Sequence, residues 1–128
     1  MTGDASATPP VWRVRPEETI IDLRPIDRTQ VVEGLPRAGW RMLGSIPGID
    51  VGVWEHTPGI STDVEEDEVF LVLSGRATVS VDDGESIEFS AGDVGILRAG
   101  AITTWVVHET LRKVFIGRTG GHPAKHVI

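Results

Sequence analysis

The chain has 128 residues, 40% of them hydrophobic and 24% charged, which suits one soluble globular domain. A net charge of -7 opposes a phosphate-backbone partner, and no apolar run is long enough to cross a bilayer, so neither nucleic acid nor membrane is expected as a partner. With no cysteine, there is no disulfide framework, thiolate metal site or cysteine nucleophile.

Residues 1–10, MTGDASATPP, lack both a basic segment and an apolar stretch, and read as the flexible tail of a cytoplasmic protein. Segments 11–15 and 19–23 are expected as outer strands, confined to sheet edges by Pro16 and Pro25. From there the apolar residues come in short runs at 40–46, 51–54, 69–73, 77–81, 87–89, 94–97, 102–107 and 111–116. Turn-forming pairs separate them: Pro47-Gly48, Pro58-Gly59, Ser74-Gly75, Asp83-Gly84, Ala91-Gly92 and Ala99-Gly100. Short runs bounded by turn signals predict an all-β sandwich or barrel of eight to ten strands. Thr78 to Val81 alternates polar and apolar and turns at Asp82-Asp83-Gly84 into Ser86 to Phe89, predicting an antiparallel hairpin. Run 69–73 is apolar on both faces, so cover is expected on both sides, one side from a second subunit in a homodimer. Residues 11–118 form the expected domain, and 119–128, with His122 and His126, a second tail.

Glu68-x6-Gly75 followed by Gly92-Asp93-x4-Arg98-x-Gly100 resembles the paired motifs of the cupin superfamily. The likeness implies a single-domain double-stranded β-helix, the cupin jelly-roll barrel. In that family two histidines precede the glutamate and a third ends the second motif, and with the glutamate they hold a divalent metal. Here Ser61 and Asp63, or Thr62 and Val64 if the spacing shifts by one, stand at the first two places. Thr103 stands at the third, and Arg98 replaces the motif's proline. Hydroxyls are poor substitutes for imidazoles, so no metal and no other cofactor is expected. Gly52-x-Trp54, Pro58-Gly59, Asp67-Glu68, Ala91-Gly92-Asp93, Trp105 and Arg112-Lys113 extend the likeness over about 50–117. They are similar to the small EutQ-related and ureidoglycine aminohydrolase-like cupins. This branch implies either an accessory small-molecule binder or an amidohydrolase or isomerase.

If Glu68 faces the interior, alternation sends Phe70 and Val72 the same way, and Thr103 takes Trp105 and Val107 with it. Glu68, Trp54, Phe70, Thr103 and Trp105 are therefore the candidate lining of a pocket for a small organic ligand, flat or cationic. Glu68 suits acid or base work, or the reception of an ammonium or hydroxyl group, and equally a structural carboxylate held by Lys113 or by backbone amides. Lys113 is a second candidate for catalysis, either as partner of that carboxylate or as the exposed position of an alternating strand. The acidic run 63–68 lacks the spacing and glycine of a calcium loop and reads as a solvated loop. His56 and His108 read as hydrogen-bonded or surface residues, His56 being the best substitute metal ligand. A Ser61/His56/Asp63 triad can be drawn, but no nucleophile elbow or oxyanion loop frames it.

Overall fold

The computed structural model describes residues 9–82 and 84–121. Among these, nine strands and one 3-10 turn form a curled sheet: β1 (Arg24–Pro25), the turn Arg28–Gln30, β2 (Val31–Glu33), β3 (Arg37–Ile46), β4 (Ile49–His56), β5 (Gly59–Val64), β6 (Glu68–Val81), β7 (Ser86–Ser90), β8 (Val94–Leu97) and β9 (Ile102–Arg118). None of the described residues forms a helix long and apolar enough to cross a membrane. His122 and His126 lie outside the described residues.

The strands run β1-β3-β4-β9-β5-β2, with β6 pairing β7, β8 and β9. Two long strands organise this order. The last half of β9 pairs β4, its first half pairs β5, and β6 pairs β9 along both halves, all antiparallel. Inward side chains from both halves enclose one core of Trp54, Phe70, Val72, Ala77, Val79, Trp105, Val107, Leu111 and Phe115, with Ile26, Ala38 and Leu97. The predicted hairpin forms, with Ser80 opposite Ser86.

Two expectations are corrected. Runs 69–73 and 77–81 are one strand, and so are 102–107 and 111–116. Ser74-Gly75 is a bulge within β6, marked by register shifts on both sides of Ser74 and by Gly75 at φ 89°. The irregularity changes the inward parity of β6 from even (Glu68, Phe70, Val72) to odd (Ala77, Val79), while β9 keeps odd residues inward on either side of the exposed Glu109. A bulge and a turn draw on the same residue types, which is why the pair misleads. Segments 11–15 and 19–23 are not strands. Arginine side chains hold this stretch in place of a ladder: Arg112 Nη1 donates to Pro16 O (2.7 Å) and Thr19 O (2.9 Å), Arg41 Nη1 to Ile20 O (3.1 Å) and Arg37 Nη2 to Leu23 O (2.7 Å). The segment runs so close over Gly39 that a Cβ there would overlap Asp22 O.

The outer face of the β8-β6-β9 region is apolar. Val69 lies opposite Ile96 and Ile116, and Leu71 opposite Val94, and all five side chains are exposed within the chain.

Candidate functional site

Glu68 opens β6 and Lys113 lies in the last half of β9, between Leu111 and Phe115 on the inward face. Lys113 sits opposite Val72 on one side and Trp54 on the other. Both charged side chains are buried, and Lys113 Nζ donates to Glu68 Oε2 at 2.8 Å. The ammonium also lies over three rings, 4.3 Å from the centroid of Phe70 and 4.7 Å from those of Trp54 and Trp105. Each ring face contributes about 0.5–2 kcal/mol towards a desolvated cation. Together with the carboxylate they offset a burial penalty of several kcal/mol. Trp54, Phe70 and Trp105 thus form an aromatic cage around Lys113, so the chain's own ammonium occupies it.

A second carboxylate shares this cavity. Glu65, expected in a solvated loop, is 3% exposed. Its Oε2 accepts from Thr103 Oγ1 (2.6 Å) and Trp105 Nε1 (3.0 Å). The backbone turns it inward: Glu65 N donates to Ala101 O and Gly100 N donates to Glu65 O, both at 2.9 Å. Thr103 is therefore committed to a carboxylate, and Trp105 is fixed at its edge by Glu65 and at its face by Lys113.

His56 ends β4 and is 1% exposed. Its Nδ1 is 2.6 Å from Thr57 O and its Nε2 2.9 Å from Ser61 Oγ. Desolvation lowers its pKa from 6.5 to about 4; the Thr57 carbonyl opposes this and the Lys113 charge adds to it. Both ring nitrogens are engaged within the chain, Nδ1 by the Thr57 carbonyl and Nε2 by the Ser61 hydroxyl. His108 is exposed and within 2.8 Å of Thr78 Oγ1.

The cavity is lined by Glu68, Lys113, Glu65, His56, Trp54 and Trp105, with Ser61, Thr62, Asp63, Gln30, Ile26 and Phe115, and offers about 30 Å³ of free space. This is room for roughly two waters. Phe70 lies behind the lysine rather than on the cavity wall. Ser61 and Asp63 lie opposite Trp105 and Thr103 on the neighbouring strand. A transition metal does not fit this donor set: His56, the one imidazole lining the cavity, is engaged at both ring nitrogens, and an ammonium occupies Glu68. Among the described residues, no group of three or more His, Asp or Glu side chains could hold a metal ion. Outside the cavity, Arg98, at the proline place, lies 3.2 Å from Asp67, whose Oδ1 also accepts from Ala99 N at 2.8 Å. That backbone bond first, and Arg98 next, lower the Asp67 pKa.

A curled antiparallel barrel with a glutamate opening one long strand, and its partner positions on another, is the architecture of a cupin. The model of the EutQ-like cupin domain family matches residues 48–115, and the chain belongs to this family. The solved structures it resembles agree on the fold. A protein described as ethanolamine utilization protein Q from Salmonella typhimurium LT2 has a TM-score of 0.57 at 20% identity, over 64% of this chain and 69% of that one. The EutQ protein of Clostridium difficile has a TM-score of 0.56 at 18% identity, over 63% of this chain and 61% of that one. A DUF861-family protein of unknown function from Pseudomonas syringae pv. tomato has a TM-score of 0.66 at 22% identity. That likeness covers 77% of this chain but only 44% of the other. No curated protein matches.

Proposed function

We propose that this cupin is a metal-independent small-molecule-binding protein, accessory or regulatory in small-molecule metabolism, whose ligand reaches the Glu68–Lys113 pair inside the barrel. One observation carries the reading: Glu65, Glu68 and Lys113, side chains that water would hold charged, are buried around a single cavity. Apolar residues of similar volume would stabilise the barrel as well or better, so a binding role accounts for groups that stability alone does not require. The pair presents a donor beside an acceptor. A compact neutral molecule with both, of the amide or urea kind, complements it without displacing Lys113, whereas a cationic ligand would have to compete with that ammonium. Trp54 and Trp105 wall such a ligand; Phe70 and Thr103 support the wall, through Lys113 and Glu65 respectively.

The test is ligand-observed NMR and thermal shift with acetamide, urea, acetate and methylammonium. Acetamide or urea is expected to bind and Glu68→Gln to abolish the effect; equal affinity in the variant contradicts the proposal. Turnover that survives chelation and is lost in Glu68→Gln would instead mark an acid/base enzyme using the same pair.

The homodimer belongs to the same proposal. Val69, Leu71, Val94, Ile96 and Ile116 make an exposed face suited to a second copy, and a cytoplasmic setting agrees with the composition. Light scattering should give twice the chain mass, and Ile96→Lys the single mass; a wild-type monomer contradicts this.

A further inference from the structure

The Ser61–His56 pair takes no part in the binding reading, and its geometry is that of an activated hydroxyl. The partner of His56 Nδ1, the Thr57 carbonyl, can only accept, so Nδ1 carries the proton. Nε2 then presents its lone pair, and the Ser61 hydroxyl, 2.9 Å away, donates to it. Burial keeps the ring neutral at ordinary pH, so the Nε2 lone pair faces the Ser61 hydroxyl. Nucleophile, base and orienting acceptor are thus in sequence, the acceptor being the Thr57 carbonyl and not Asp63. Ser61 and His56 also line the cavity that holds Lys113, the only cation among its lining residues.

We propose that Ser61 is the nucleophile and His56 the general base of a site that accepts short acyl groups from esters. This rests on the reading of the same cavity as a small-molecule site. The free space of about 30 Å³ limits the acyl part to formyl or acetyl size. Gln30, Thr62 and Asp63 line both the cavity and an outer depression with Val64 and Ile102, the side on which the leaving group would depart. Ser61 Oγ bonds to the acyl carbon as its proton passes to His56 Nε2. The bond from that carbon to the leaving oxygen breaks, and His56 returns the proton to it. Water, deprotonated by Nε2, then cleaves the acyl-serine, releasing the carboxylic acid and restoring Ser61 Oγ–H.

The probe is p-nitrophenyl acetate on the full chain, followed by nitrophenolate release and by peptide mapping of the acetyl group. Acetyl should appear on Ser61 in the folded protein and not in the urea-unfolded chain. Release should fall to background in Ser61→Ala and roughly a hundred-fold in His56→Gln. Acetyl on lysines alone, or equal modification of Ser61 in folded and unfolded chains, overturns the proposal without recourse to any variant. Binding of acetamide with no acetyl on Ser61 overturns the nucleophile and leaves the binding site standing. Acetyl on Ser61 without Glu68-dependent binding does the reverse.

Discussion

Lys113 sets its ammonium 4.7 Å from the ring centroid of Trp105, while the N–H at the edge of that indole donates to Glu65 at 3.0 Å. One ring thus joins the lysine to one carboxylate, and Glu68 holds the lysine from another side. The consequence is coupling. Lys113→Met leaves Glu68 buried without its cation and should cost about 3–5 kcal/mol, as should Glu68→Leu. The double variant should lose much less than the sum. A double-mutant cycle by urea denaturation checks this, and additive losses would contradict it.

His56 makes stability depend on pH. The unfolded chain takes up this proton near 6.5 and the folded chain only near 4. The unfolded state therefore binds more protons between these values, so stability is complete above pH 6.5 and falls as pH drops towards 4. The difference corresponds to on the order of 3 kcal/mol. Lys113 adds to the shift, and Asp63, Glu65 and Glu68 line the same cavity. The lowered carboxyls of Asp27 and Asp67 act only below their ordinary value of 3.8, outside this window. Unfolding free energies measured from pH 4 to 7 should slope in the wild type and lie flatter in His56→Gln.

Glu65 accepts from two buried donors, so Glu65→Ala should cost about 1–3 kcal/mol in all, since Trp105 Nε1 keeps Thr103 Oγ1 at 3.1 Å and Thr103 Oγ1 keeps Asp63 O at 3.5 Å. Glu65→Gln keeps an acceptor oxygen and should cost less. Chemical denaturation ranks the pair, and the Trp105 environment can be followed by fluorescence.

Gly75 should not tolerate alanine. Its positive φ disfavours a side chain by about 1–3 kcal/mol, and a Cβ would fall on the Thr110 carbonyl of β9. Gly75→Ala should therefore lower the melting temperature far more than Gly92→Ala, whose Cβ meets nothing within 4 Å although its φ is also positive.

Much of the barrel can be read from residue order. Thr103, Trp105 and Val107 alternate inward as expected, and Glu68, Phe70 and Val72 do the same on the strand beside them. Lys113 was open between two faces, although Leu111 and Phe115 at two-residue spacing share its side. Glu65 was not legible. It lies beyond the end of β5 inside a run of acids, and it turns inward through backbone bonds to Ala101 and Gly100, far along the chain. The N-terminal segment misled for a similar reason, because arginines from β3 and β9 satisfy its carbonyls and no local pattern announces them.

Saturation-transfer NMR of acetamide and urea, on wild type and Glu68→Gln side by side, most directly tests whether the buried pair serves a ligand. Transfer to at least one probe in the wild type, absent in a variant that remains folded, is the predicted result. No transfer to either probe, or the same transfer in both proteins, would make Glu68 and Lys113 parts of the core and nothing more.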